Sequence, residues 1–385
     1  MAHLLSDFKA FLEASPTPWH AVDQLCTRLA IRDFSPLSET ERWELEPGKK
    51  YFVERDGSLA AFIIPHAKPT KALILASHTD SPALKLKPEP LYRKENMHLF
   101  GTEVYGSPLL TSWLNRDLCL AGKVVFRNAQ DQIEEKLIII DDALLFIPQL
   151  AIHLDREVND KGLVLDREKH LCPLLGLSSE EEEGALALES LIRRHIHFHT
   201  LLSFELFLVP VEPPRFVGAE SEMITSYRLD NLASAHACAT AMAYLEAPAQ
   251  ETLHMALFYN HEEVGSHSHE GAASPFLHDV LERISFALES DLEEHLALKH
   301  NALCISVDMV MLPLLARVLK PGGVWRVASD DPTYQGWVRS VMAARDFFDA
   351  PPPEETRPMG WPPTRYEAKA LRAGRAPLYW TFVRR

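Results

Sequence analysis

Apolar runs that stop abruptly at acids or histidine are what most constrain the fold of this chain. K-A-L-I-L-A-S-H-T-D-S-P (Lys71 to Pro82) is a strand pattern that breaks into His78 and Asp80. L-H-M-A-L-F-Y-N-H-E-E-V-G-S (Leu253 to Ser266) ends the same way at Glu262 and Glu263, and A-L-C-I-S-V-D-M (Ala302 to Met309) at Asp308. S-Y-R-L-D-N-L-A-S (Ser226 to Ser234) sets Asp230 at the start of a small-residue helical run. In α/β sheets functional groups gather just past the carboxyl ends of strands, so these segments predict one shared polar site. Any one of these acids alone reads as a solvated loop; four such segments in one chain weaken that reading. Two adjacent Glu repel each other unless a cation or a proton is shared nearby. A dinuclear metal site accounts for the pair: one Glu ligates while its neighbour is general base to a metal-activated water. In H-x-D, a carboxylate two residues on can fix the tautomer of a liganding imidazole.

The surrounding pattern is that of an α/β protein. Leu4, Leu5, Phe8, Phe11 and Leu12 fall at helical spacing, S-P-T-P breaks that helix, and a second helical pattern follows. Residues 50–66 read as a hairpin turning at Asp56-Gly57. In R-H-I-H-F-H-T (Arg194 to Thr200), His195, His197 and His199 alternate, which predicts one solvated face of a strand with no acidic partner. S-S-E-E-E-E-G (Ser178 to Gly184) reads as a solvated loop, and His267 and His269 follow the Glu pair without an evident role.

Composition excludes several classes. No run approaches the ~20 apolar residues of a membrane span, and five scattered cysteines without a C-x-x-C pair argue against a disulfide scaffold or thiolate zinc site. A reducing cytoplasm is the expected setting. The formal charge of −15 makes a poor general binder of nucleic acid, yet it is unevenly spread. Residues 313–385 carry ten Arg and two Lys against four Asp and three Glu, a net of +5, which leaves −20 for residues 1–312. The same stretch holds four of the seven Trp and no His, so a different segment is expected to begin near residue 313.

The first part resembles the aspartyl aminopeptidase family of dinuclear-zinc exopeptidases. The resemblance runs from S-P-T-P-W-H-A-V through H-T-D-S-P-A-L-K-L-K-P, Y-G-S-P-L-L-T-S-W-L-N-R-D-L-C-L-A-G, P-Q-L-A-I-H-L-D-R-E-V-N, R-L-D-N-L-A-S and H-E-E-V-G-S-H-S-H-E-G-A to I-S-V-D-M, covering about residues 1–310. It implies a zinc-exopeptidase-like mixed sheet flanked by helices, made of residues 1–87 and 216–312. An inserted β-rich domain at 88–215 would mediate dimerisation within larger assemblies. It implies further that His78, Asp230 and Asp308 hold one zinc, with Asp230 bridging to a second held by Glu263. Glu262 would be the general base, Asp80 would orient His78, and His153 would reach the active site of a neighbouring subunit. Manganese or cobalt could also occupy such a donor set. Asn115 stands where the family usually carries Asp.

The family supplies a last ligand of the second zinc from a histidine near its end, whereas this sequence has no His after His300. Instead, L-K-P-G-G before a strand, T-R-Y-E, G-R and a closing strand resemble the C-terminal third of the bacterial tRNA (guanine-N7-)methyltransferases, a Rossmann-methyltransferase-like fragment at 313–385. That resemblance places Thr364 and Glu367 at a cofactor and RNA cleft, and the basic, aromatic composition suits RNA contact. No G-x-G-x-x-G occurs in the chain, so methyl transfer is not expected. The expected function is a metal-dependent aminopeptidase acting on peptides, acidic N-terminal residues being the preference of the named family. About one zinc is expected to be retained, with activity impaired by the absent histidine. The alternative is a catalytically inactive scaffold, or a fusion with a methyltransferase-derived tail.

Overall fold

The structure, a computed structural model, describes residues 2–177, 188–245, 251–308, 324–329, 335, 339, 348–349, 352–358, 370–372 and 374–384. The chain divides into two compact units, Met1–Met309 and Val310–Arg385.

In the first unit, α1 (Ala2–Glu13) and α2 (Pro18–Ala30) flank the proline break. Pro18 opens α2, where its missing N–H costs nothing. A six-stranded mixed sheet then forms from β1 (Phe34–Leu37), β2 (Lys50–Arg55), β3 (Ser58–Ile63), β4 (Lys71–His78), β13 (Thr252–Tyr259) and β14 (Ala302–Ser306), in the order β1-β2-β3-β13-β4-β14. β13 and β14 both run parallel to β4, so the three carboxyl ends lie side by side. The predicted hairpin is β2–β3, with Asp56 at φ 52° in its turn.

Strand alternation sorts the core into two layers. Leu59, Ala61 and Phe258 pack with Phe11, Leu25 and Leu29 of α1 and α2, and with Leu232, Ala235 and Met242 of α5 (Leu229–Tyr244). Their neighbours Ala60, Phe62, Met255 and Leu257 pack on the other face against Phe276, Val280 and Ile284 of α6 (Phe276–Ala287), and against Leu298 of α7 (Leu292–His300). Asp291 and Glu294 form a capping box at the start of α7.

Between β4 and α5 the chain builds a closed barrel from β5 (Ala83–Lys94), β6 (Met97–Tyr105), β7 (Asp117–Arg127), β8 (Ile133–Phe146), β9 (Leu174–Leu177) and β10 (Thr200–Pro210), ordered β10-β5-β6-β9-β8-β7. Phe100, Leu120, Phe126, Ile140 and Leu206 fill it. Closure removes the sheet edges that these strands would otherwise expose. α3 (Val158–Lys161) lies between β8 and β9 in the chain, and β11 (Arg215–Val217) pairs with β12 (Met223–Thr225) after β10. The barrel is tied to the sheet: Lys123 of β7 donates to Asp56 at 2.6 Å and lies over the Trp19 ring at 5.0 Å.

One expectation is corrected. Residues 194–199 are a turn and irregular chain between α4 (Leu188–Arg193) and β10 rather than a strand. Their exposure still alternates, with Ile196 and Phe198 buried in the barrel core and the three histidines exposed. His195 also has an acidic partner, with its Nε2 2.9 Å from Asp142 Oδ1. The acid comes from β8, so nothing local in the sequence announces it. The run 178–184 lies outside the described residues.

In the second unit, β15 (Val324–Ser329), β16 (Phe348–Asp349) and β17 (Leu378–Arg384) make an antiparallel sheet ordered β15-β17-β16, with Tyr379, Trp380 and Phe382 buried. Thr364 and Glu367 lie outside the described residues. No described helix is long and apolar enough to cross a membrane.

Candidate metal centre

The acids and histidine predicted from four separate segments meet at one place. His78, the last residue of β4, is only 3% exposed. Its Nε2 lies 3.5 Å from Asp230 Oδ1, 3.5 Å from Asp308 Oδ1 and 3.9 Å from Glu262 Oε2. On the other side of the ring, Nδ1 is 3.1 Å from the Asp80 carbonyl oxygen and 3.4 Å from Asp80 Oδ1.

Each side chain arrives for a local reason. Asp308 follows β14, whose pairing with β4 sets it beside His78. Asp230 sits in the first turn of α5 with non-helical torsions, its carbonyl accepting from Ser81 Oγ at 2.5 Å. Asn231 Nδ2 donates to the Val307 carbonyl at 2.8 Å and so joins the start of α5 to the end of β14. Beyond β13, Glu262 and Glu263 occupy a short 3₁₀ turn, Glu262–Val264, bounded by His261 at φ 63° and Gly265 at φ 99°.

Asp80 is fully buried and holds that turn. Its Oδ1 accepts from the Glu262 N–H at 3.2 Å, and its Oδ2 from the Glu263 N–H at 3.1 Å and the Tyr105 hydroxyl at 2.7 Å. Burial pushes the Asp80 carboxyl up, but His78, Tyr105 and the Glu263 N–H together hold it below the usual range.

The electrostatics are those of a site in need of a cation. Burial pulls the His78 imidazole down, yet Asp230, Asp308 and Asp80 overcome this and push it up to about 12. Hydrogen bonding from His78 holds Asp308 low. Burial, with Asp80, Asp230 and Glu262 close by, pushes Glu263 up to about 7, and burial raises Glu262 as well. Among the described residues two donor sets arise, His78–Glu262–Glu263 and His78–Asp230–Asp308, each with its donor atoms within 4.8 Å of one another. One imidazole among several carboxylates suits zinc, and with that imidazole neutral the acids carry charge that a divalent cation would offset.

Other predicted residues lie elsewhere. His153 is exposed on a turn and belongs to neither donor set; His267 and His269 are likewise exposed and outside both. Asn115 joins Gln149, whose N–H donates to Asn115 Oδ1 at 3.0 Å. Sequence reasoning gave no role to Tyr105, Gly106, Ser81 or Asn231, although Y-G-S-P and H-T-D-S-P contain the first three.

A family model for aminopeptidase I zinc metalloproteases (M18) matches residues 11–314. The chain belongs to this family. It is 37% identical over 306 residues to a probable M18 family aminopeptidase 2 of Streptomyces coelicolor, covering 78% of this chain and 70% of the relative. The corresponding protein of Clostridium novyi is 33% identical over 305 residues, with 77% and 70% covered. Among solved structures, that of an Ape4–Nbr1 complex superposes with a TM-score of 0.73 at 33% identity, over 80% of this chain and 64% of that one. The M18 aminopeptidase of Thermotoga maritima gives 0.68 at 25% identity, over 80% and 69%. The S. cerevisiae mApe1 dodecamer, at 22% identity and 0.66, shares the fold. This is a family of metal-dependent exopeptidases, and the M18 match ends at residue 314, where the change in charge begins.

Proposed function

We propose that this chain is a zinc aminopeptidase whose two metal positions are unequal. His78, Asp230 and Asp308 would hold one zinc, and Glu263, with Asp230 shared, would hold a second. The observation that carries this is the convergence of Asp230 and Asp308 on His78 Nε2 at 3.5 Å, with Glu262 and Glu263 alongside. When bound, such cations acidify a water and polarise the scissile carbonyl.

The chain's own residues supply the rest. Glu262, half-exposed beside the cluster and raised by burial, takes the proton of the attacking water on its carboxylate and returns it to the leaving amine. Asp80 fixes the ring of His78 through Nδ1 and holds the Glu262–Glu263 turn through both oxygens. The remaining acids offer the charge that receives a free N-terminal ammonium. Substrates are peptides, with acidic N-terminal residues among the candidates.

The His78–Asp230–Asp308 set offers three protein donors, the usual number for a catalytic zinc. Glu263 shares its set with the base Glu262 and the ring of His78, and residues 301–385 contain no further histidine. About one zinc is therefore held tightly and peptide hydrolysis is weak. Residues 88–215 are read as a dimerisation domain, with the exposed His153 reaching a neighbouring subunit of a cytoplasmic homo-oligomer. Residues 313–385 are read as a methyltransferase-derived tail in which Thr364 and Glu367 mark a former RNA cleft.

Metal analysis after dialysis, paired with an amino-acyl p-nitroanilide assay, tests this reading. About one equivalent of zinc with slow turnover is expected. Two tight zincs with robust hydrolysis would mean that another residue completes the Glu263 side. A folded oligomer that keeps no zinc would favour the scaffold.

A further inference from the structure

We infer that Tyr105 is a positioning residue for the metal centre, acting through Asp80, so that the barrel is a working part of the site. The inference rests on the metal-centre reading above. Asp80 has no exposed surface, and its oxygens receive His78 Nδ1, the Glu262 and Glu263 N–H groups and the Tyr105 hydroxyl. The His78 and Glu contacts come from the sheet's own strand ends, whereas Tyr105 ends β6 of the barrel. At 2.7 Å its O–H···O⁻ bond is the shortest of the four, and charge-assisted bonds of this type are about twice as strong as neutral ones.

Two further contacts make this approach specific. The Tyr105 ring stands edge-on to Phe207 of β10 at 5.3 Å, which fixes where the hydroxyl points. Gly106, next in the chain at φ 69°, backs directly onto Glu263, and a Cβ there would stand 3.0 Å from Glu263 Cβ. One dipeptide at a barrel strand end therefore bonds the carboxylate that orients His78 and leaves room for the opposite ligand. Without the hydroxyl, Asp80 Oδ2 keeps one donor instead of two. The carboxylate then turns more freely, loosening its hold on His78 Nδ1 and on the Glu262–Glu263 turn together.

The test is Tyr105→Phe in the full chain, with the ring and its packing retained. Zinc affinity is measured by competition with a chromogenic chelator, and amide exchange at Glu262 and Glu263 is measured in zinc-free protein. Affinity is expected to fall about tenfold, the lower end of what loss of an outer partner costs a metal site. Exchange of the two amides is expected to quicken. In an Asp80→Asn background the same Tyr105→Phe change should alter affinity less than about twofold, because partners acting through one another are non-additive. Unchanged affinity and exchange in Tyr105→Phe would overturn the inference, as would an equal loss in both backgrounds. Should wild type take up no zinc while Tyr105→Phe still quickens exchange, the metal-centre reading fails and the Tyr105–Asp80 link stands.

Discussion

The two sides of the cluster carry the same functional group, a carboxylate on Asp at one and on Glu at the other, and end up in opposite electrostatic states. On one side Asp308 lies 3.5 Å from a buried imidazole, whose hydrogen bond holds it low. Asn231 braces this side by bonding the Val307 carbonyl one residue before Asp308. On the other side Glu263 sits on a three-residue turn beside Glu262, and burial pushes it up to about 7. What separates them is the compensating partner: His78 turns its Nε2 toward Asp230 and Asp308, and the Glu pair receives less of it. Both sides therefore hold a proton in zinc-free protein, one on the His78 imidazole that the two sets share and one on Glu263, but only the Asp308 side is braced by a neighbouring strand end.

The largest effect should come from Glu262, the proposed base, which is not one of the proposed zinc ligands even though it lies among the donors of the Glu263 side. Glu262→Gln keeps shape and removes the proton acceptor, so residual hydrolysis should fall by about 10²–10⁴-fold. Zinc content should stay at the wild-type level. A loss of zinc in this variant would place Glu262 among the ligands and break the division of labour within the Glu pair.

Next in size is the direct comparison of the sides. His78→Ala should abolish the tightly held zinc, since it removes a donor common to both sets. Glu263→Ala should leave that equivalent in place after dialysis. Equal losses in the two variants would show that the metal positions fill only together.

The pH dependence sharpens the same contrast. A carboxylate raised in the folded protein keeps a proton that the unfolded chain has released, so Glu263 stabilises zinc-free protein at low pH. That contribution is lost as pH rises through its folded value of about 7. Zinc entering at Glu263 must displace this proton, so occupation of that side should strengthen as pH rises from about pH 5 toward pH 7. Titration calorimetry of zinc at several pH values reads it directly, and a weak site insensitive to pH across that window would remove Glu263 from it.

Much of this was legible in the sequence, for identifiable reasons. Strand-end acids show because apolar runs stop at them, as at His78, Glu262, Glu263 and Asp308. The roles expected of them come from the family resemblance over about residues 1–310, and the M18 match spans residues 11–314. What stayed hidden is contact between distant segments. Tyr105 and Asp80 are 25 positions apart, Asp142 and His195 are 53 apart, and neither pair carries a local signal. The 194–199 segment misled for a related reason: alternating burial arises wherever extended chain lies on a core, with or without a strand partner.

The smallest predicted effect isolates the weaker side. Gly106 has φ 69°, a conformation that costs a residue bearing a Cβ, and its open face is filled by Glu263 Cβ at 3.0 Å. Gly106→Ala should therefore destabilise the chain by about 1 kcal/mol, a typical cost for a strained backbone position. Because the added methyl presses on Glu263 and not on the Asp230–Asp308 set, the tight zinc should persist while any second, weaker equivalent is lost. Chemical denaturation together with zinc titration separates these readings. If Gly106→Ala weakened the tight site as much as the weak one, the two sides would be mechanically one, and their inequality would lie in charge alone.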